Sequence, residues 1–227
     1  LIKKYLDENI FYVENVIDNK DLELINNFYD NYKNYFIRSG NFFNFTEYDL
    51  LEKYLKDDNQ YNIIKNILDD IKKINSKMEN ILLENIDTIY HHPHFNYGLM
   101  QYYNQEINNE GWAVPIHSDK YTHSKDKDID GHNSPDSSYV VSGYIFYFND
   151  EYTGGEVFYD KKNITFRPKA GMLLIHSGLD EYSHGVKYVD SGERRFASGF
   201  TFENNFCLKK ECPTVMQILD SKSKNPN

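Results

Sequence analysis

The chain has 227 residues and a formal charge of −10, long enough for one domain with a helical extension and of the wrong sign for nonspecific attraction to nucleic acid or an anionic membrane. Hydrophobic residues make up 40% and aromatic ones 16%, which supports a substantial core, and the wealth of Tyr and Phe favours strands. No apolar run approaches the roughly 20 residues that span a bilayer. The first predicted element is a helix in "DNKDLELINNFYDNYKNYF", where Leu24, Ile25, Phe28, Tyr32, Tyr35 and Phe36 recur at helical spacing behind Asp18 or Asn19 as N-cap. "TEYDLLEKYL" follows, with Thr46 as cap and Asp49 three residues on, a variant of the capping box. "YNIIKNILDDIKKINSKMENILLENI" then carries Ile64, Ile67, Ile71, Ile74, Met78 and Ile81 in steps of three and four. Such a stripe suits a coiled-coil seam, but with a β-rich half to cover, one long helix lying on a sheet is the expectation.

From about His94 the hydrophobic period changes to two. Candidate strands are "FNYGLMQYY", "AVPIHSD", "SYVVSGYIFYF", "GEVFY", "NITFR", "MLLIH", "HGVKYV" and "RRFASGFTF". Short strands separated by turn residues predict a sandwich or jelly roll. The expected class is therefore α+β, a sandwich or jelly-roll (double-stranded β-helix) core with N-terminal helices packed on one sheet. Residues 1–90 are expected to form the helical support, 91–206 the jelly-roll core and 207–227 a tail. One long polar gap, "KYTHSKDKDIDGHNSPDSS", interrupts the strands. Loops of that length are usually functional or disordered, so a lid is expected. Asp126, Asp128, Asp130 and Gly131 reproduce the first half of a calcium loop, but position twelve is Ser137 and the bidentate Glu is missing. Cys207 and Cys212 are not spaced as CxxC and read as free thiols of a reducing compartment. With no visible signal peptide, the expected location is the cytoplasm. An Asn-, Lys-, Ile- and Tyr-rich composition of the kind AT-rich codons give hints at a bacterial, phage-infected or protist cell. The Asn44 and Asn163 sequons then carry no weight.

The stretch "GWAVPIHSDKY" concentrates chemistry. Trp112, Val114 and Ile116 alternate as in a strand with one buried face. Residues two apart on a strand project together, so His117 and Asp119 converge, two of the three ligands of the facial triad that holds non-haem Fe(II). A second histidine must come from elsewhere. His91, His92 and His94 surround Pro93 and read as a turn into a strand. His123 and His132 sit in the long loop, a poor place for a rigid ligand. His176 ends an apolar strand and reads as packing near the site. His184 stands apart because Arg194 follows ten residues later, beyond a turn at Gly192. Arginine's planar fork holds a carboxylate bidentately, the partner needed by the far carboxylate of an iron-chelating 2-oxo acid.

In this order the motifs resemble the Fe(II)/2-oxoglutarate-dependent dioxygenases, and within them the prolyl 4-hydroxylase-like branch. The resemblance runs from about Tyr97 to Phe202. It comprises "QYYN", the His-x-Asp of "HSD", the hairpin "YIFYFNDEYTGGEVFY", the Pro-x-x-Gly strand "RPKAGMLLIH" and "HGVKYVDSGERRF" with its distal His and oxo-acid-binding Arg. It implies that His117, Asp119 and His184 ligate iron and that Arg194 binds the distal carboxylate of 2-oxoglutarate. Tyr102 aligns with the family tyrosine on the same carboxylate, and Tyr103 is the alternative if the register slips by one. Arg195 is expected to face the other way in an exposed ion pair. The implied reaction consumes O2 and 2-oxoglutarate, releases succinate and CO2 and hydroxylates a C–H bond, with ascorbate as an accessory reductant. The implied partner is a peptide or protein containing proline, with neither membrane nor nucleic acid involved. Collagen-type members usually carry Lys where this chain has Arg194, which points toward the oxygen-sensing and bacterial branches. Competing expectations are the same chemistry on a free amino acid, another peptide residue or a nucleobase. More remote are a non-catalytic jelly-roll module, such as a virion part, and a zinc hydrolase.

Overall fold

Strand β8 (Val140–Tyr147) shows how the sequence builds the layers. Tyr144 and Phe146, with Phe148 just beyond, pack against the helices, whereas Tyr147 and Ile145 belong to the opposite face. The same alternation in β12 (Leu173–Ser177) sends Leu173 and Ile175 one way and Leu174 the other. A sheet with two apolar faces needs a cover on each. The computed structural model describes residues 2–39, 42–45, 61–86, 90–91, 95–101, 111–120 and 140–202. The remaining elements are β1 (Lys3–Asp7), β2 (Ile10–Val13), α1 (Asn19–Tyr32), β3 (Ile37–Ser39), β4 (Phe42–Phe45), α2 (Tyr61–Asn85), β5 (Tyr90–His91), β6 (Asn96–Gln101), β7 (Trp112–His117), β9 (Tyr152–Gly154), β10 (Val157–Tyr159), β11 (Ile164–Phe166), β13 (His184–Lys187) and β14 (Val189–Phe202).

The large sheet runs β1-β2-β12-β8-β14-β6-β4-β3, with β5 and β9 also paired to β14, and a four-stranded sheet runs β11-β10-β13-β7. Their inner faces meet in a core of Ile10, Met100, Tyr147, Leu174 and Phe196 against Val157, Tyr159, Phe166 and Val186. The outer face of the large sheet is closed by the helices. Asp18 caps α1 by accepting from the Asp21 N–H at 2.8 Å, and Ile25, Phe28 and Tyr29 turn inward. Helix α2 lays down Ile67, Ile71, Ile74, Met78 and Leu82 against Tyr97, Leu99 and Phe146. The stripe is therefore a sheet-covering face and no coiled-coil seam, and the expected jelly roll with helices on one sheet is present.

Some local expectations differ. Leu24 points outward, and Leu82 takes the inward position expected of Ile81, which is only partly buried. The first ninety residues are not purely helical, because β1–β4 come from them; β2 pairs with β12, so that edge of the sheet is completed by the start of the chain. The helix expected from Thr46, the loop residues 121–137, Cys207, Cys212 and the tail lie outside the described residues. Among the described residues no helix is long and apolar enough to cross a membrane.

Candidate metal centre

Three donors converge at one end of the space between the sheets. His117 closes β7 and stands directly opposite His184, which opens β13. Strand β7 is an edge strand, where Pro115 costs no ladder hydrogen bond. Between Val114 and His117 it runs three residues against two of β13, a bulge of the kind that re-aims a side chain. As a result Val114 and His117 both line the cavity, which simple alternation forbids. The uniform buried face expected of Trp112, Val114 and Ile116 is not formed: Ile116 is 37% exposed. Gly185 sits against the bulge, where a Cβ would lie 2.9 Å from the Val114 carbonyl oxygen.

Asp119 lies just past the end of β7, held by the Lys120 N–H donating to the Gly178 carbonyl at 2.8 Å. Its Oδ1 is 3.6 Å from His117 Nε2 and 4.0 Å from His184 Nε2. One donor atom from each of His117, Asp119 and His184 falls within 4.8 Å of the others. His117 Nδ1 is 2.8 Å from the Pro115 carbonyl oxygen and His184 Nδ1 is 3.2 Å from that of Tyr182. A carbonyl only accepts, so each Nδ1 carries the proton and each Nε2 offers its lone pair to the centre. Burial alone raises the Asp119 carboxyl, but the His176 hydrogen bond and three nearby imidazoles outweigh it and hold the group at about 2. Burial pushes His184 down to about 3, helped by His176 and opposed by Asp119. The carboxylate is thus ionised and the buried imidazole neutral at neutral pH, the states in which both bind metal. Two imidazoles and one carboxylate fit Fe(II) with open positions.

The cavity at this centre has a volume of about 220 Å³, and Met100, Val114, Ile145, Val186 and Phe196 supply apolar wall. Arg194 also lines it and is 1% exposed. Its guanidinium reaches Met100 Sδ at 3.2 Å and the Tyr147 hydroxyl at 3.4 Å, and it packs over the rings of Tyr147 and Phe196. No carboxylate pairs with it among the described residues, and its Nε has no hydrogen-bond partner there. Burial pushes the Tyr147 hydroxyl up to about 12 against the pull of Arg194, so it stays protonated. Tyr102 and Tyr103 lie outside the described residues, as do Asp126, Asp128 and Asp130. Arg195 faces away from the cavity and forms the expected ion pair with Asp30, whose side chain is exposed, while its own is not. It is mostly covered and binds Asp30 at 2.5 Å, Glu193 at 2.9 Å and Asn26 Oδ1 at 3.1 Å, tying β14 to α1.

One site residue escaped the sequence, and another was read there only as packing. Tyr147 is placed beside Arg194 by the register of β8 on β14, which pairs it with Phe196; its only local signal is that it shares a strand face with Ile145. His176 does pack near the site, and it also lies 3.1 Å from Asp119 Oδ2 through Nε2, a contact that depends on strand order.

Comparison with known proteins follows the same lines. No protein-family model matches the chain. Mouse prolyl 3-hydroxylase 2 is 28% identical over 118 residues, covering 48% of this chain and 17% of that protein, so the match spans only a small part of the relative. Among solved structures, the viral collagen prolyl hydroxylase of Paramecium bursaria chlorella virus 1, in complex with 2-oxoglutarate, superimposes with a TM-score of 0.51 at 14% identity, covering 86% of this chain and 96% of that one. The Trichoplax adhaerens prolyl hydroxylase, in complex with a hypoxia-inducible-factor peptide fragment, gives 0.54 at 10% identity, covering 89% and 87%. A prolyl 4-hydroxylase of Phytophthora capsici gives 0.54 at 12%, covering 88% and 61%. This chain has the fold of the prolyl 4-hydroxylase-like Fe(II)/2-oxoglutarate oxygenases, with a His–Asp–His cluster able to hold a metal between its two sheets.

Proposed function

We propose that the protein is an Fe(II)- and 2-oxoglutarate-dependent dioxygenase that hydroxylates a C–H bond, with peptidyl proline as the favoured substrate. The observation that carries this reading is Arg194. A guanidinium is always charged and offers five donors, and burying it without a carboxylate is costly unless a ligand supplies one. The cavity that it lines also contains the three metal donors. A small acid with one end at the metal and a free carboxylate at the other satisfies both. When bound, iron and 2-oxoglutarate supply the oxidising power, with O2 and the oxo acid consumed and succinate and CO2 released. Ascorbate fits as an accessory reductant. The protein's share is to hold and orient. His117 and His184 present Nε2, Asp119 presents Oδ1, Arg194 clamps the distal carboxylate and Tyr147 donates its hydroxyl proton to the same group. Tyr102 is retained as a further partner of that carboxylate. The apolar wall excludes water. The proline preference draws on the relatives: a collagen prolyl hydroxylase, a prolyl hydroxylase holding a peptide fragment and a prolyl 3-hydroxylase.

The test is succinate formation by the protein with Fe(II), 2-oxoglutarate and O2, run with a panel of proline-containing and proline-free peptides scored for a mass gain of one oxygen. Oxygen gain confined to proline peptides supports the full reading. Gain on another residue, a free amino acid or a nucleobase keeps the cofactor chemistry and overturns the substrate. No succinate above the level of Asp119→Ala overturns both.

A further inference from the structure

Asp119 is held from behind by residues that no part of the proposed reaction uses. His176 sits on β12 as the one polar side chain among its four buried positions, after Leu173, Leu174 and Ile175. It is 1% exposed and Tyr159 is 0% exposed, and both ring nitrogens are engaged: Nε2 is 3.1 Å from Asp119 Oδ2 and Nδ1 is 2.7 Å from the Tyr159 hydroxyl. The ionised carboxylate only accepts, so Nε2 carries the proton, Nδ1 accepts, and Tyr159 donates. For a neutral imidazole this arrangement gives all three groups a partner. It leaves His176 no lone pair for a metal, although its ring centroid is 4.1 Å from that of His184. Opposite His176 in the ladder stands Gly143. A Cβ there would lie 2.5 Å from Asp119 Oδ2 and 2.5 Å from His176 Nε2, so only glycine lets the carboxylate reach across β8 to the imidazole.

We propose that His176 is a positioning residue that fixes Asp119 as a one-oxygen metal ligand, with Gly143 keeping open the space in which the two meet. With Oδ2 occupied, Oδ1 alone faces His117 and His184, and the carboxylate cannot rotate to chelate through both oxygens. Outer partners of this kind orient the ligand and typically change metal affinity or activity by about 10–100-fold. The proposal rests on the reading of His117, Asp119 and His184 as the metal ligands.

The experiment measures Mn(II) affinity by calorimetry and the Co(II) absorption spectrum of the metal-free protein, in the parent, His176→Phe, His176→Gln, Gly143→Ala and Asp119→Ala. Phe keeps the bulk and removes the donor, so Mn(II) binding should weaken by roughly 10–100-fold and the Co(II) bands should shift. Gln retains an N–H donor at similar reach and should recover most of the affinity and the parent spectrum. Gly143→Ala should resemble Phe, because the added methyl separates the pair without deleting either member. Parent-like affinity and spectrum in a folded His176→Phe would overturn the role, as would a Gln variant that falls as far as Phe. Should His176→Phe not fold, the contrast between Gln and Gly143→Ala decides on the same criteria. If the parent and Asp119→Ala bind Mn(II) alike, the ligand assignment itself fails and this proposal with it.

Discussion

Arg194 and Arg195 are adjacent in sequence and opposite in surroundings, and that contrast can be measured. Among the described residues Arg194, which lines the cavity, has a thioether and a tyrosine hydroxyl as its hydrogen-bond partners and no carboxylate, whereas the terminal nitrogens of Arg195 bind Asp30, Glu193 and Asn26. Truncating one partner of a buried charge pair costs about 2–5 kcal/mol, so Arg194→Ala should raise half-saturating 2-oxoglutarate by roughly 30-fold to a few thousand-fold. Arg194→Lys keeps the charge and loses only the fork, and its effect should be smaller. Tyr147→Phe removes one hydrogen bond, about 0.5–1.5 kcal/mol, or about a 2- to 10-fold rise. Arg195→Ala should leave the value in place. Succinate production titrated against 2-oxoglutarate in the four variants checks this, and a loss in Arg195→Ala alone would put the clamp on the wrong residue. The sequence distinguished the two arginines because adjacent strand residues face opposite ways. It did not place Tyr147 beside Arg194, because that neighbourhood depends on a strand pairing across some fifty residues of chain, nor did it show that Asn26 and Asp30 of α1 bind Arg195.

At the scale of elements, Glu193 joins β14, β6 and Lys33, the residue that follows α1. Its carboxylate binds Arg195 at 2.9 Å, Gln101 at 2.6 Å and Lys33 at 3.1 Å. Burial raises its pKa, but the hydrogen bonds from Arg195, Lys33 and Gln101 prevail and lower it from the ordinary 4.5. A carboxyl depressed in the folded state contributes stability that is complete above its unfolded value and is lost as pH falls through the folded one. Melting temperature should therefore drop between neutral pH and the range below 4.5, and Glu193→Gln should flatten that part of the profile; parallel profiles would count against the link. Helix α2 supplies a second test. Ile71 is fully buried against the sheet, and Ile71→Ala should cost about 2–5 kcal/mol of unfolding free energy, read by denaturant titration. That stripe was legible because a 3.6-residue period persists over the whole helix. Strands β1 and β2 were not: β1 carries Lys3, Lys4 and the exposed Tyr5, and β2 becomes a strand by joining β12 near the other end of the chain.

For the whole molecule, the candidate centre draws on both sheets. His117 and His184 belong to the small one, while Arg194 and His176 belong to the large one. A ligand that binds only the folded state stabilises it by about 2.7 kcal/mol at a hundred times its dissociation constant. At about 2–4 °C per kcal/mol for a chain of this size, saturating Mn(II) should raise the melting temperature by about 5–11 °C. Asp119→Ala should abolish the rise, and differential scanning fluorimetry with and without the ion checks both. Most of the jelly roll and the three residues of the candidate metal cluster could be read from the sequence, because alternation marks strands and few residue types bind metal. The outer support could not, since Gly143, Tyr159 and His176 look like ordinary strand residues until the ladders place them together.

The extra residue that β7 absorbs between Val114 and His117 has a wider meaning. Were the ladder to run regularly from Val114, Ile116 would oppose His184, and the imidazole of His117 would swing to the outside. Composition and length would be the same. Gly185 shields the irregular arrangement, since a methyl there would press on the Val114 carbonyl. The capacity to hold a metal is therefore a matter of phase along one edge strand. An intact jelly roll and an inert one can differ by a single step in how two strands are counted against each other.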